Sequence, residues 1–270
     1  MSGGLASHDG ISYREAGEPD APPALLLHGY PESSYMWREL LEPIATAGWR
    51  AIAPDLPGYG DSPPDPPGTW ERHVEAVERL RAGLDLGPVA LVMHDWGGLI
   101  GLRWACDHPS LVRALMISDT GFFADGKWHG MARALRTEGD GEELVHGMTR
   151  DGFGAMVTAV SEGIDDAGVD EYWKAFADED RRNGQLELYR SGDFEKLEAY
   201  EGRLAQLGVP ALILWGDEDP FAPVAGAHRF QSELPGSELV VLEGTGHFVV
   251  DDAPERCAEV IAGFLGRLGA

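Results

Sequence analysis

The chain has 270 residues, 43% of them hydrophobic, which is enough to bury one sizeable core, with or without an insertion, and too apolar for an intrinsically disordered chain. Lys and Arg number 21 against 46 Asp and Glu, and the formal net charge of −25 repels phosphates over the whole surface, which argues against nucleic acid and anionic membranes as partners. Two cysteines cannot build a disulfide framework, no apolar run approaches the roughly 20 residues of a membrane span, and the opening MSGGLASHDG has no apolar signal region, so the expected location is the cytoplasm.

In chain order, Ile11–Arg14 reads as a short strand ending at Gly17, and Ala24–Leu27 as an apolar strand that stops at His28-Gly29-Tyr30-Pro31. Ser33–Ala47 carries Met36, Trp37, Leu40, Leu41 and Ile44 at helical spacing behind a serine cap. A strand at Arg50–Ala53 precedes a turn-rich stretch from Asp55 to Ser62, and Trp70–Leu86 has the pattern of an amphipathic helix. Strand Val89–Met93, helix Leu99–Asp107 and strand Leu111–Ile117 follow. Alternation of this kind predicts an α/β fold with a mostly parallel sheet covered by helices on both faces. From Gly121 to Leu204 strand patterning stops and aromatic-rich helical stretches take over. It resumes with strand Ala211–Trp215, helix Val224–Glu233, strand Glu238–Leu242 and helix Pro254–Leu268. The expected division is a core of residues 1–120 and 205–270 with a helical insertion at 121–204.

Three polar clusters follow strands, where open parallel sheets place their ligands. His94-Asp95-Trp96-Gly97-Gly98 sits between a strand and a helix, the setting of a nucleophile elbow, with Asp95 where a serine hydrolase has Ser. Gly216-Asp217-Glu218-Asp219-Pro220 offers a carboxylate, Asp217 or Asp219, and Gly244-Thr245-Gly246-His247-Phe248 offers a histidine. Nucleophile, acid, histidine is the chain order of the α/β-hydrolase fold; Asp119, after another strand, is a further position for the acid. No histidine pair has the i, i+4 spacing of a metal site and no Gly-Lys-Ser/Thr turn is present, so no metal or cofactor is expected.

Together with His28-Gly29-Tyr30-Pro31 and the Asp55–Ser62 turn, these motifs resemble the aspartate-nucleophile branch of the α/β-hydrolases, which holds epoxide hydrolases and haloalkane dehalogenases. The resemblance covers nearly the whole chain and is weakest in the insertion. It implies a helical cap inserted after the sixth strand. It also implies attack by Asp95 on an sp³ carbon to form an alkyl ester, and hydrolysis of that ester by water activated by His247. Asp219, favoured over Asp217 by a Gly-x-x-Asp pattern, would hold the imidazole, and the N–H groups of Tyr30 and Trp96 would form the oxyanion hole. For an epoxide the leaving alkoxide needs a proton donor. Tyr189, in Leu188-Tyr189-Arg190, resembles the second cap tyrosine of epoxide hydrolases, while Tyr172, or a histidine such as His129 or His146, stands for the first. A halide needs N–H donors instead, which Trp96 and a cap tryptophan, Trp128 or Trp173, would supply; the asparagine that one dehalogenase subgroup has at the Tyr30 position is absent. Pro31-Glu32 looks like epoxide hydrolases, whereas Met93 and Ser33–Arg38 look more like dehalogenases. The reading places an epoxide hydrolase first, a haloalkane dehalogenase as the alternative and an inactive binding module third. The partners expected are a small apolar organic substrate and water, acted on by a monomer or homodimer.

Overall fold

The computed structural model describes residues 5–269. Eight strands form one sheet: β1 (Leu5–His8), β2 (Ile11–Ala16), β3 (Pro23–Leu27), β4 (Arg50–Pro54), β5 (Val89–His94), β6 (Val112–Ser118), β7 (Ala211–Gly216) and β8 (Glu238–Leu242). Their spatial order is β1-β2-β4-β3-β5-β6-β7-β8. The β1–β2 and β2–β4 pairs are antiparallel and all the others parallel. β5 and β7 are buried along their whole length, the near-continuous apolar run expected of strands covered on both faces. β1 escapes a reading of periodicity because LASH is a four-residue edge strand with no apolar run of its own.

The order of the strands creates the site. After β3 the chain crosses to β4 on one side and then returns to β5 on the other. The loops leaving the carboxyl ends of β3 and β5 therefore part, and the crevice between them is where doubly wound sheets bind ligands.

Three helices differ from their expected extents, one of them by ending at Gly83 rather than Leu86. Ser33–Ala47 is broken into a 3₁₀ turn at Ser34–Trp37 and a helix at Leu41–Thr46. Pro43 explains this, because proline has no N–H and its ring clashes with the carbonyl four residues back, so the helix cannot run through it from Ser34. The helix after β5 starts at Trp96 rather than Leu99, so Asp95 itself is its N-cap residue.

Between β6 and β7, the described residues 121–204 contain helices and no strand. This layer is pinned to loops at the carboxyl ends of strands. The Tyr30 hydroxyl donates to Gln185 Oε1 at 2.9 Å, the Tyr172 hydroxyl to Asp251 Oδ2 at 2.6 Å, and the Arg181 guanidinium to the Gly58 carbonyl at 3.0 Å. Among the described residues no helix is long and apolar enough to cross a membrane.

Candidate active site

Asp95 occupies the sharp turn between β5 and the helix Trp96–Asp107 with φ 46° and ψ −119°, a left-handed conformation that costs a non-glycine residue about 1–3 kcal/mol. Its surroundings hold it there. The Asp95 N–H donates to the Ser118 carbonyl at 3.2 Å, and its own carbonyl accepts from Thr120 Oγ1 at 2.6 Å. The neighbours must be small: a Cβ on Gly97 would lie 2.2 Å from the Leu27 carbonyl oxygen, and one on Gly29 would lie 2.5 Å from Asp95 Cβ. The Asp95 carboxylate is consequently pressed against the β3 loop, where Oδ2 accepts from the Tyr30 N–H at 2.8 Å.

His247 comes from the loop after β8. Its Nδ1 bonds Asp219 Oδ2 at 2.7 Å, and its Nε2 lies 3.8 Å from Asp95 Oδ1. The second distance is too long for a hydrogen bond. Asp219 is fixed at its other oxygen, which accepts from the N–H groups of Phe221 at 2.7 Å and Ala222 at 2.9 Å. Asp217 instead accepts from the Gly244 N–H at 2.7 Å in an exposed setting and braces the loop. Asp119 is buried, with its oxygens bonded to Ser118 Oγ and the Gly216 N–H. Burial and the nearby Asp219 push its carboxyl up to about 8, partly offset by His94.

Burial disfavours a charge on His247, but Asp219 and its hydrogen bond outweigh this and raise the imidazole above its ordinary value, with a further contribution from Asp95. Asp219 responds in the opposite sense: burial would raise it, and His247 together with the two loop N–H groups brings it below the ordinary range. The imidazole is thus held between two carboxylates, bonded to one and spaced from the other.

Beneath this arrangement lies a pair with no expected role. His94 Nδ1 faces Glu32 Oε2 at 2.8 Å and His94 Nε2 faces the His247 carbonyl at 2.8 Å. Both ring nitrogens meet acceptors, so both carry protons, and the ring is an imidazolium despite full burial. Burial opposes this charge, but the Glu32 carboxylate raises His94 to about 10. Glu32 also accepts from the Gly29 N–H at 3.1 Å. One buried ion pair therefore ties the β3 loop, the elbow and the His247 loop together. The sequence signal was present in Pro31-Glu32 and in a histidine adjoining Asp95, but 62 residues separate the partners.

A cavity of about 280 Å³ opens beside Asp95 and His247, walled by Trp96, Trp128, Phe194, Leu99 and Tyr189. A smaller space of about 70 Å³ also reaches Asp95 and His247, walled by Tyr30, Pro31, Val157, Val160 and Phe248. Trp128 stacks on Trp96 with ring centroids 5.6 Å apart and planes inclined by 21°. Tyr189 sits edge-on to both Trp96 and Tyr30, at 5.1 and 5.0 Å. Burial and the nearby Asp95 raise its phenol well above the ordinary range, so it stays protonated.

Two aromatics expected at the pocket lie elsewhere. Tyr172 is buried against Asp251, to which its hydroxyl is bonded. Trp173 stacks on Phe176 at 5.1 Å within the helical layer. The sequence showed both as aromatics of a helical stretch but not which neighbours they would meet. His146 is exposed and bonds Asn183 at 3.2 Å, whereas His129 lines both parts of the cavity. The described residues contain no cluster of three or more His, Cys, Asp or Glu able to hold a metal ion.

A family model described as alpha/beta hydrolase fold matches residues 22–254. The chain belongs to the α/β-hydrolase fold family. Within that family it is 41% identical over 270 aligned residues to a haloalkane dehalogenase of Mycolicibacterium paratuberculosis, covering 93% of this chain and 86% of the relative. A solved haloalkane dehalogenase, DbeA from Bradyrhizobium elkani, superposes with a TM-score of 0.83 at 27% identity, covering 98% of this chain and 97% of that one. An epoxide hydrolase from Vigna radiata gives a TM-score of 0.81 at 22% identity and 98% coverage of both chains, and shows the fold alone. This α/β-hydrolase is an enzyme of the epoxide hydrolase or dehalogenase type, as its motifs implied.

Proposed function

We propose that this hydrolase is a haloalkane dehalogenase. The observation that carries the reading is the pair of stacked indoles, Trp96 and Trp128, walling an apolar cavity beside Asp95. Indole N–H groups in a dry pocket stabilise a departing halide, which needs no proton. The haloalkane dehalogenase relatives support the same reading. They reverse the order of the sequence analysis, which put epoxide opening first.

In this mechanism Asp95 Oδ1 attacks the halogen-bearing carbon, a C–O bond forms, the carbon–halogen bond breaks, and the halide leaves with its electron pair. Oδ2 becomes the ester carbonyl oxygen and already accepts from the Tyr30 N–H. A water beside His247 Nε2 gives up a proton to it as hydroxide adds to the ester carbonyl carbon. The tetrahedral intermediate collapses with cleavage of the acyl C–O bond, the alcohol leaves with the proton returned by His247, and the Asp95 carboxylate is restored. At 3.8 Å Nε2 and Oδ1 make no hydrogen bond to each other, which leaves the Nε2 lone pair for a water placed beside the pair. Esterification also removes the negative charge of Asp95, one of the groups that raise His247. The imidazole therefore becomes easier to keep neutral at the step where it must act as a base.

Tyr189 supports a second reaction in the same cavity. Its protonated hydroxyl, in the electrostatic reach of Asp95, suits an alkoxide leaving group. If it serves epoxides, Tyr189→Phe lowers epoxide opening relative to bromide release by about 10²-fold or more, the scale of a lost general acid. Parallel kinetics on styrene oxide and 1,2-dibromoethane, following diol and bromide, make the test. Diol without bromide from the unmodified chain overturns the dehalogenase reading.

A further inference from the structure

The space around Asp95 is divided, and the division bears on which carbon the enzyme attacks. Asp95, His247, His129, Phe221 and Tyr189 line both chambers, so the reacting carbon stands at their junction. Trp96 and Trp128 face only the larger chamber. That chamber, about 280 Å³, exceeds the needs of a halide and continues past the indoles along Phe123, Phe194 and Pro223. The smaller chamber, about 70 Å³, is bounded by Val157, Met156, Val160, Met131 and Phe248 and carries no side-chain N–H donor of its own.

We infer that the preferred substrates carry the halogen on an internal carbon, with a short alkyl arm in the smaller chamber and the longer arm beside the halide in the larger one. The inference rests on the dehalogenase reading and deepens it. A terminal carbon has one carbon arm and leaves one apolar chamber unfilled. An internal carbon has two and fills both. The smaller chamber is roughly half of the ~150 Å³ that accommodates benzene, so it takes an arm of about one to three carbons. Its lining of valine, methionine and phenylalanine rewards an alkyl group and offers water few partners. Asp95 Oδ2 is committed to the Tyr30 N–H. Attack therefore comes from Oδ1, on the His247 side, where both chambers meet.

The test is bromide release by the purified full chain from 1-bromohexane and 2-bromohexane. The expected kcat/KM for the 2-isomer equals or exceeds that for the 1-isomer, although a secondary carbon is intrinsically less open to backside attack. A second measurement repeats both substrates with Val157→Phe and with Val160→Trp, the latter at a position already 36% exposed and tolerant of bulk. Filling the small chamber should lower the ratio of 2-isomer to 1-isomer by about tenfold or more, the scale on which apolar pockets discriminate one methylene. A ratio below one in the unmodified chain, or one that the folded variants leave unchanged, overturns the inference while leaving a dehalogenase. No bromide from either isomer overturns the dehalogenase reading itself, and the inference with it.

Discussion

In His247→Gln, exposure to a bromoalkane should leave the protein heavier by the alkyl group that replaces the Asp95 carboxyl proton. Turnover should fall on the order of 10⁶-fold, as when the base of a catalytic triad is lost. Alkylation needs only the carboxylate and the halide donors. Hydrolysis needs a proton acceptor, and glutamine is none. Intact-protein mass spectrometry reads the adduct directly, and Asp95→Ala should show none. With an epoxide the mass gained should be that of the whole substrate, because the leaving oxygen stays attached. A turned-over substrate that binds the variant yet leaves no adduct would move the mechanism to direct attack by water.

Glu32→Ala is expected to lower stability by about 3–5 kcal/mol, the cost of stranding one partner of a buried ion pair. For a chain of this size that corresponds to a fall in Tm of roughly 6–20 °C. The pH dependence has a definite sign. His94 is raised in the folded state from 6.5 to about 10, so its share of stability is complete below its ordinary value and is lost as pH rises through about 10. Glu32 is lowered despite its burial, mainly by His94, so its share is present above its ordinary 4.5 and lost as pH falls through the depressed value. The gap between wild type and variant, followed by denaturant unfolding, should be widest between these ordinary values and should narrow toward pH 10. Replacing both partners, as in Glu32→Leu with His94→Leu, should cost less than the single change, because no charge is left unpaired. A single variant within about 1 kcal/mol of wild type would refute an ion pair here.

The sheet was legible because punctuation and period coincide: apolar runs such as Val89–Met93 end at glycine-rich turns, and each turn holds a polar cluster. The same feature made Asp95 and His247 stand out as chemistry. Spacing could not choose between Asp217 and Asp219, two residues apart after the same strand. The structure separates them through local backbone donors: the N–H groups of Phe221 and Ala222 hold Asp219 inward, while the Gly244 N–H holds Asp217 at the surface. The aromatics of the helical layer were the least legible. Tyr172 and Trp173 are adjacent in sequence and point to different neighbours, Asp251 and Phe176, and a periodic pattern carries no information about a partner from another part of the chain. Glu32 and His94 were hidden for the same reason.

Tyr30 has a backbone that serves Asp95 and a hydroxyl that serves Gln185, whose own amide N–H donates to the Ala175 carbonyl at 2.6 Å. A residue held at both ends transmits displacement. Gln185 lies on the helix Glu179–Ser191, so the position of that helix and the alignment of the Tyr30 amide on the carboxylate are tied through the Tyr30 side chain. The seat of the Asp95 carboxylate at the sheet edge therefore depends, through one aromatic ring, on a glutamine in the helical layer, so a substitution at Gln185 that never touches the carboxylate can still be felt there.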